Sequence, residues 1–153
     1  MDVEDGCPAP RFPGRPRVAR PVTDDHHGGS VKYLLLGYTS ADGWDAATAG
    51  SPTEEALEAF AAYQRFEEEL TASGELVSTE GLGHPAVSTT VRPTAEGVTA
   101  TDGPFAELKE VLASFAVIDV SGQERAVEIA ARIVAVLGEP VEIRPVMGAD
   151  FAA

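Results

Sequence analysis

The sequence predicts an α+β domain whose elements follow the order β-α-β-β-β-β-α-β. Two segments show apolar residues at three- and four-residue spacing between clear helix-end signals. The stretches around them are short apolar runs or strict apolar-polar alternations, which are typical of strands. Two β-α-β halves of this kind form a ferredoxin-like sheet, here with an additional hairpin between the halves. The length of 153 residues suits one such domain.

The first half consists of a strand and a long helix. Residues 31–38, VKYLLLGY, form an apolar run too short for a typical helix, so we expect a buried central strand. A polar loop holding Trp44 should follow. The helix is expected to have Ser51 as N-cap and Pro52 at its first position, and to stop at Gly74. Its predicted apolar stripe consists of Leu57, Phe60, Tyr63 (or Ala61), Phe66 and Leu70.

The middle of the chain changes to a period of two. Three short strands are expected between residues 75 and 103, joined by turns at 83–85 and 95–97, so this region predicts an antiparallel meander. A buried strand, VLASFAVIDV, comes next. The second helix should begin after Ser121 and stop at Gly138, with an apolar face of Ala126, Ile129, Ala130, Ile133, Val134 and Leu137. The strand PVEIRPV closes the domain, and residues 148–153 are expected to be frayed.

Charge and composition exclude several classes of function. The chain has 11 Lys and Arg against 25 Asp and Glu, a formal charge of −14, which leaves too few cations for direct nucleic-acid binding. An acidic surface also repels anionic membranes, and no window is apolar enough for a membrane span. Without a secretory signal, the expected location is the cytoplasm. Residues 1–30 contain five of the 11 prolines and no apolar periodicity, so we expect a disordered leader.

The sequence predicts neither a cofactor nor a metal. Cys7, in the leader, is the only cysteine, and residues 31–147 contain no glycine-rich phosphate loop, serine elbow or zinc-spacing motif. The predicted helices cover one face of the sheet only. Because the other face also has apolar positions, we expect a second copy of the chain to cover it in a homodimer.

Several phrases, taken in order, resemble a known family. They are VKYLLLGY, the Trp44 loop, ELTASGELVSTEGL, TDGPFAELKE and VEIRPV. Over about residues 31–147 the chain is similar to the YCII-related family, specifically its DGPF-domain branch. The resemblance implies a dimeric α+β barrel without an established activity, and a frequent association with sigma factors of the extracytoplasmic-function type. In the wider family it implies a His–Asp pair in a cleft, whose histidine is not mapped onto this chain.

The chain departs from the pattern of that branch at a few positions. Leu108 replaces a threonine, Ala113-Ser114 replaces a pair of glycines, and Ala116 replaces an aromatic residue. These changes should narrow or reshape the pocket that the strand lines. An imidazole, His84, is also inserted in the turn before Pro85.

Four residues are candidates for chemistry at the turns. His84, the only histidine of residues 31–147, would transfer protons near neutral pH if paired with Glu80 or Asp102; otherwise it is a polar turn residue. Lys109 beside Asp102 or Glu80 would bind an anionic ligand or help proton transfer; otherwise the charges are structural. The residue types of Asp102-Gly103-Pro104 can also be explained by the requirements of a turn alone, without any ligand. Phe105 is then expected to anchor the core.

Three further residues are candidates for binding. Arg144 is either an ion-pair partner on the last strand or an anchor for an anion. Tyr33 and Trp44 either wall a pocket or lie in the core or a dimer interface. Two functions follow: a small dimeric ligand-binding or accessory module, with sigma-factor regulation as one such role, or a small acid-base enzyme for an organic substrate that uses His84 or Glu80 with Asp102.

Overall fold

The computed structural model describes residues 29–148, so most of the predicted leader and the last five residues lie outside it. The strands are β1 (Val31–Ser40), β2 (Leu76–Gly81), β3 (Thr89–Thr94), β4 (Gly97–Asp102), β5 (Glu110–Val120) and β6 (Val141–Pro145). The helices are α1 (Ala41–Ala49), α2 (Glu54–Ser73) and α3 (Gln123–Leu137), and a 3₁₀ turn spans Pro85–Val87.

The sheet has the strand order of a ferredoxin-like fold. Four strands lie in the order β2-β5-β1-β6, with antiparallel pairing throughout, while β3 and β4 form a separate hairpin. The predicted α+β class with an inserted hairpin is therefore confirmed. The predicted meander is wrong, because β2 pairs with β5 and not with β3. Pairing with β5 places Leu76 beside the buried Ile118 in the core. The hairpin offers no such apolar contact, since every residue of β4 is exposed.

Both ends of α2 follow from local chemistry. The Thr53 hydroxyl accepts a hydrogen bond from the backbone N–H of Ala56 at 3.2 Å, so the helix begins two residues later than the predicted Ser51 cap. Thr53 can act in this way because its backbone is extended at φ −68° and ψ 160°. Gly74 ends the helix as predicted, with a φ of 79° that suits glycine.

The ends of α3 differ in how they are capped. Gly122, and not the predicted Ser121, occupies the N-cap, and no side chain bonds there. Gly138 ends the helix as predicted, with a φ of 72°, and its N–H donates to the carbonyl of Val134 at 2.8 Å.

Residues 41–49 form a helix where a loop was predicted. The Ser40 hydroxyl, at the end of β1, accepts a hydrogen bond from the N–H of Gly43 at 2.9 Å and starts α1. The backbone N–H of Ala41 also donates to the carbonyl of Lys109 at 2.8 Å. These bonds attach α1, which carries Trp44, to the end of β1 and the start of β5, the two central strands of the sheet.

The core lies between the sheet and the helices α2 and α3. Alternation along β1 and β5 turns one set of side chains toward the helices. The buried cluster consists of Tyr33, Leu35, Phe66, Leu70, Ala116, Ile118, Val120, Ala126, Ile129, Ala130 and Ile133. Both Ile118 and Ile129 are completely buried. This core confirms the predicted face of α3 except at its end, where Val134 and Leu137 are partly exposed.

The predicted stripe of α2 is buried only in the second half of the helix. Phe66 and Leu70 are buried, but Leu57 is 54% and Phe60 52% exposed. A helix of 20 residues is about 30 Å long, and its buried residues all lie in the half that packs on β2 and α3. Within residues 29–148 no helix combines the length and apolarity that crossing a membrane requires.

A bidentate ion pair joins α3 to the segment between α2 and β2. Arg125 donates through Nε to Glu75 Oε1 at 2.7 Å and through Nη2 to Glu75 Oε2 at 2.9 Å. The Glu75 side chain is only 21% exposed. Hydrogen bonding from Arg125 lowers the pKa of the Glu75 carboxyl. This pair therefore fastens α3 close to the sheet.

We expect Glu75→Gln to lower the free energy of unfolding by about 1–2 kcal/mol near neutral pH, the range of a charge-assisted hydrogen bond at a partly exposed arginine. Because the folded pKa of Glu75 is depressed, its stabilisation is present above the unfolded value of about 4.3 and is lost as pH falls through the folded pKa. Urea unfolding at neutral pH and at about pH 3 measures this. Glu128→Gln, at the exposed partner of Arg125, is the control and should cost under about 0.5 kcal/mol. A Glu75→Gln effect of equal size at both pH values would contradict the assignment.

Candidate functional site

His84 has both ring nitrogens engaged. Its Nδ1 accepts a hydrogen bond from the backbone N–H of Ala86 at 3.1 Å and caps the 3₁₀ turn. Since Nδ1 accepts, the proton of the neutral ring lies on Nε2, which donates to Asp45 Oδ1 at 2.8 Å. His84 thus joins the turn after β2 to α1, and neither nitrogen is open to a substrate in this arrangement.

Helix α1 supplies the surroundings of His84. It carries both Trp44 and Asp45, and the Trp44 ring centroid lies 6.3 Å from that of His84, with the rings tilted by 52°. The structure therefore brings two predicted site residues, His84 and Trp44, together. The carboxylate beside His84 is Asp45, and not Glu80 or Asp102. Asp45 was missed because it lies 39 positions away, in a segment that was predicted as a loop.

The other charged candidates at the turns are not joined to His84. Glu80 lies exposed on β2 opposite Phe115, and Asp102 ends β4 opposite Thr89. Lys109 is exposed just before β5. Within the part of the chain that the structure describes, no hydrogen bond or ion pair links any two of His84, Glu80, Asp102 and Lys109. The same residues contain no group of three side chains placed to hold a metal ion.

Gly103 adopts the positive φ that its turn position predicts, but no helix starts at Pro104 and Phe105 does not enter the core. Gly103 has a φ of 102°, and its N–H donates to the carbonyl of Ser88 at 2.8 Å. Phe105 is 74% exposed, which corrects its predicted role as a core anchor. The Arg92 guanidinium lies 4.6 Å from the centre of its ring and donates to its carbonyl at 2.7 Å. Phe105 therefore packs on the hairpin and not on the sheet.

Arg144 and Tyr33 lie on opposite faces of the sheet. Arg144 pairs with Glu142, which also accepts a hydrogen bond from the Tyr38 hydroxyl at 3.0 Å. The bond from Arg144 lowers the pKa of Glu142. Tyr33 is buried in the core between sheet and helices. In this structure Arg144 is thus an ion-pair partner on the last strand, and Tyr33 is a core residue.

A cavity of about 100 Å³ lies between the sheet and the helices α2 and α3, near the end of β1. Its apolar walls include Leu35, Ala116, Ile133, Leu137 and Val141. Its polar side chains are Tyr38, Thr39, Tyr63, Ser114 and Glu139, and the Thr39 hydroxyl donates to Glu139 Oε1 at 3.0 Å. None of the predicted site residues lines this cavity. This cavity is the second candidate site.

Small residues on two paired strands leave room for this cavity. Gly37 lies opposite Ser114, and a Cβ atom at Gly37 would lie 2.5 Å from the Ser114 hydroxyl oxygen. Ala113 and Ser114, two of the positions where the sequence departs from the resembled pattern, line the cavity. A glycine inside an apolar strand often marks a place where another group approaches the backbone closely. Gly37 was therefore the sequence feature from which this cavity could have been predicted.

Tyr63, which lines the cavity, has an uncharged hydroxyl. Burial raises the pKa of its phenol to about 12, although hydrogen bonding to Thr79 acts in the opposite direction. The phenol is therefore neutral over the physiological range. It can donate or accept a hydrogen bond but cannot serve there as a phenolate base.

Comparison with known proteins agrees with the fold. The model of the YCII-related domain matches residues 31–150. A search of the curated proteins finds no match. The matched region contains the whole four-stranded sheet, the hairpin and all three helices. The chain therefore belongs to the YCII-related domain family.

Proposed function

We propose that this protein is a small homodimeric ligand-binding module. The cavity between the sheet and the helices carries this proposal, because it combines apolar walls with five polar side chains in a volume of about 100 Å³. Apolar walls with a few convergent polar groups are the usual lining of a small-molecule site, and the small volume limits the ligand to a few non-hydrogen atoms. Among the described residues its lining includes no histidine, lysine, arginine or cysteine, and its one carboxylate, Glu139, already accepts a hydrogen bond from Thr39, which favours binding over proton transfer.

The geometry of His84 supports binding over acid-base catalysis. A general base needs a free lone pair, but His84 Nδ1 accepts from Ala86 and Nε2 is engaged with Asp45. His84 instead links α1 to the 3₁₀ turn through these two hydrogen bonds. The acid-base enzyme and the accessory role in sigma-factor regulation, which the resemblance to the DGPF branch implies, both stay predictions.

The sheet face away from the helices supports a dimer. Strand alternation places on it Lys32, Leu34, Leu36, Ser78, Glu80, Phe115, Val117, Asp119, Glu142 and Arg144, which we call the open face. Its apolar centre consists of Leu34, Phe115 and Val117, which are partly exposed, and Leu36, which is 8% exposed. Charges of both signs surround this centre. A second copy of the chain would cover the apolar surface that is still exposed there.

Binding can be tested with 1-butanol, a neutral probe of suitable size. Titration followed by amide chemical shifts should move the signals of Gly37 and Ser114, which line the cavity. The double substitution Gly37→Ala/Ser114→Ala puts a methyl group close to the place of the Ser114 hydroxyl, which a Cβ at Gly37 would otherwise meet at 2.5 Å. The cavity keeps about the same volume but loses one hydrogen-bonding group. We expect this variant to weaken butanol binding about fivefold, the effect of one lost hydrogen bond of about 1 kcal/mol.

Gly50→Ala is the matched control, because a Cβ at Gly50 meets no atom within 4 Å. Butanol should bind this variant as it binds the native chain. If the probe leaves the signals of the cavity residues unmoved, or moves them equally in the double variant, the cavity is not a binding site and the proposed function loses its support.

A further inference from the structure

The carboxyl end of α3 borders the cavity. The helix ends at Leu137, Gly138 caps it, and Glu139 and Pro140 follow directly. Leu137, Glu139 and Pro140 all line the cavity. A molecule in this part of the cavity therefore lies beside both the end of the helix and the Glu139 side chain.

Both groups beside this part of the cavity favour positive charge. The carboxyl end of a helix carries roughly half a negative charge, and the last turn of α3 has no basic residue to offset it. Glu139 is partly buried, and one of its oxygens accepts from Thr39. Across residues 29–148 no lysine, arginine or histidine forms an ion pair with Glu139. No ion pair among these residues therefore offsets the negative charge beside the cavity.

The inner part of the cavity favours a short apolar group. Leu35, Ala116 and Ile133 form apolar wall, and the neutral Tyr63 and Ser114 hydroxyls can accept hydrogen bonds. A cavity of about 150 Å³ accommodates benzene, so about 100 Å³ accommodates roughly four or five non-hydrogen atoms. The walls thus suit an unbranched alkyl chain of that length.

We propose that this cavity binds a small primary alkylammonium ion, with the ammonium group at Glu139 and the end of α3 and the alkyl chain inside. This inference rests on the proposed binding function and adds the chemical class of the ligand. Three ammonium hydrogens can be shared between the carboxylate and nearby oxygen acceptors, and the alkyl chain replaces water on the apolar walls.

Three probes of equal chain length separate charge from size: n-butylammonium, 1-butanol and butyrate. At neutral pH and low salt we expect n-butylammonium to bind the full chain about fivefold to tenfold more tightly than 1-butanol, and butyrate to bind more weakly than either. Titration calorimetry and amide chemical shifts give the affinities. Glu139→Gln should bring the ratio of the n-butylammonium and 1-butanol affinities, both measured in the variant, to about one.

Glu68→Gln is the charge-matched control, since Glu68 is exposed on α2 and is not part of the cavity wall. It should keep the cation preference. Glu139→Lys should invert the preference toward butyrate, which a merely structural role of Glu139 would not produce. Native-like amide spectra verify that each variant is folded.

The outcomes separate this inference from the proposed function. Equal affinities for the three probes, with no effect of Glu139→Gln, would overturn the cation site and leave a neutral binding module. A loss of preference in Glu68→Gln as large as in Glu139→Gln would overturn it as well, because net charge would then explain the selectivity. If no probe binds the native chain, both the cation site and the binding function fail.

Discussion

Replacing Ile118 by alanine is expected to lower the free energy of unfolding by about 3–4 kcal/mol, within the usual range for emptying a fully buried isoleucine site. Ile118 has no exposed surface. It lies on β5 between Tyr33 of β1 and Leu76 of β2, its partners on the two neighbouring strands. The strands on both sides of β5 therefore lose contacts from one substitution. A small domain has about 5–15 kcal/mol of stability in all, so the loss is a large part of it.

Urea unfolding at one fixed protein concentration measures this loss, because association of copies would make stability depend on concentration. Val127→Ala is the control: Val127 lies on α3 but is 48% exposed, and the change should cost under about 0.5 kcal/mol. A loss under about 1 kcal/mol for Ile118→Ala would contradict a core centred between β5 and the helices.

The elements with strong local signals could be predicted from the sequence. The strand at 31–38, the end of α2 at Gly74 and the end of α3 at Gly138 each depend on residues next to one another in the chain. Helix α1 was missed because Asp42-Gly43 is a turn signal and a poor helix former. The hydrogen bond from Gly43 to Ser40 and the attachment to Lys109 outweigh that local preference.

Pairing over long distances could not be predicted in the same way. The period of two identified β2 as a strand but not its partner, because alternation is the same whether β3 or β5 lies beside it. The contact between His84 and Asp45 depends on α1, and the cavity depends on Gly37 of β1, Ser114 of β5 and Glu139 of the loop after α3, which are far apart in the sequence. The sequence shows which residue types are present, but the strand pairing and helix packing determine which of them lie next to each other.

Replacing Val117 by glutamate on the open face is expected to convert the proposed dimer to monomer at micromolar concentration. Val117 lies on β5 directly opposite Leu34, at the centre of the open face. In a two-fold dimer each copy contributes the same surface, so one substitution places two carboxylates in the interface. An unpaired charge buried there costs several kcal/mol, which predicts a dissociation constant at least about a hundredfold higher.

Light scattering coupled to size-exclusion chromatography over the micromolar range measures the state of assembly. Val127→Glu, on the exposed side of α3, makes the same change in charge and should leave the dimer intact. Higher salt should strengthen association of the native chain, because each copy has a formal charge of −14 and the ions screen their repulsion. A native chain that is monomeric throughout this range, or a Val127→Glu variant that dissociates equally, would contradict the dimer.

The Val117→Glu variant also tests whether the dimer and the cavity are independent. The cavity lies on the helix side of the sheet, and Val117 does not line it. A folded monomeric variant should therefore bind 1-butanol as tightly as the native chain does. A parallel loss of binding would mean that the second copy shapes the cavity through β5, since Phe115 and Ala116, which line the cavity, directly precede Val117 on the same strand. In that case the dimer, and not the single chain, is the binding unit.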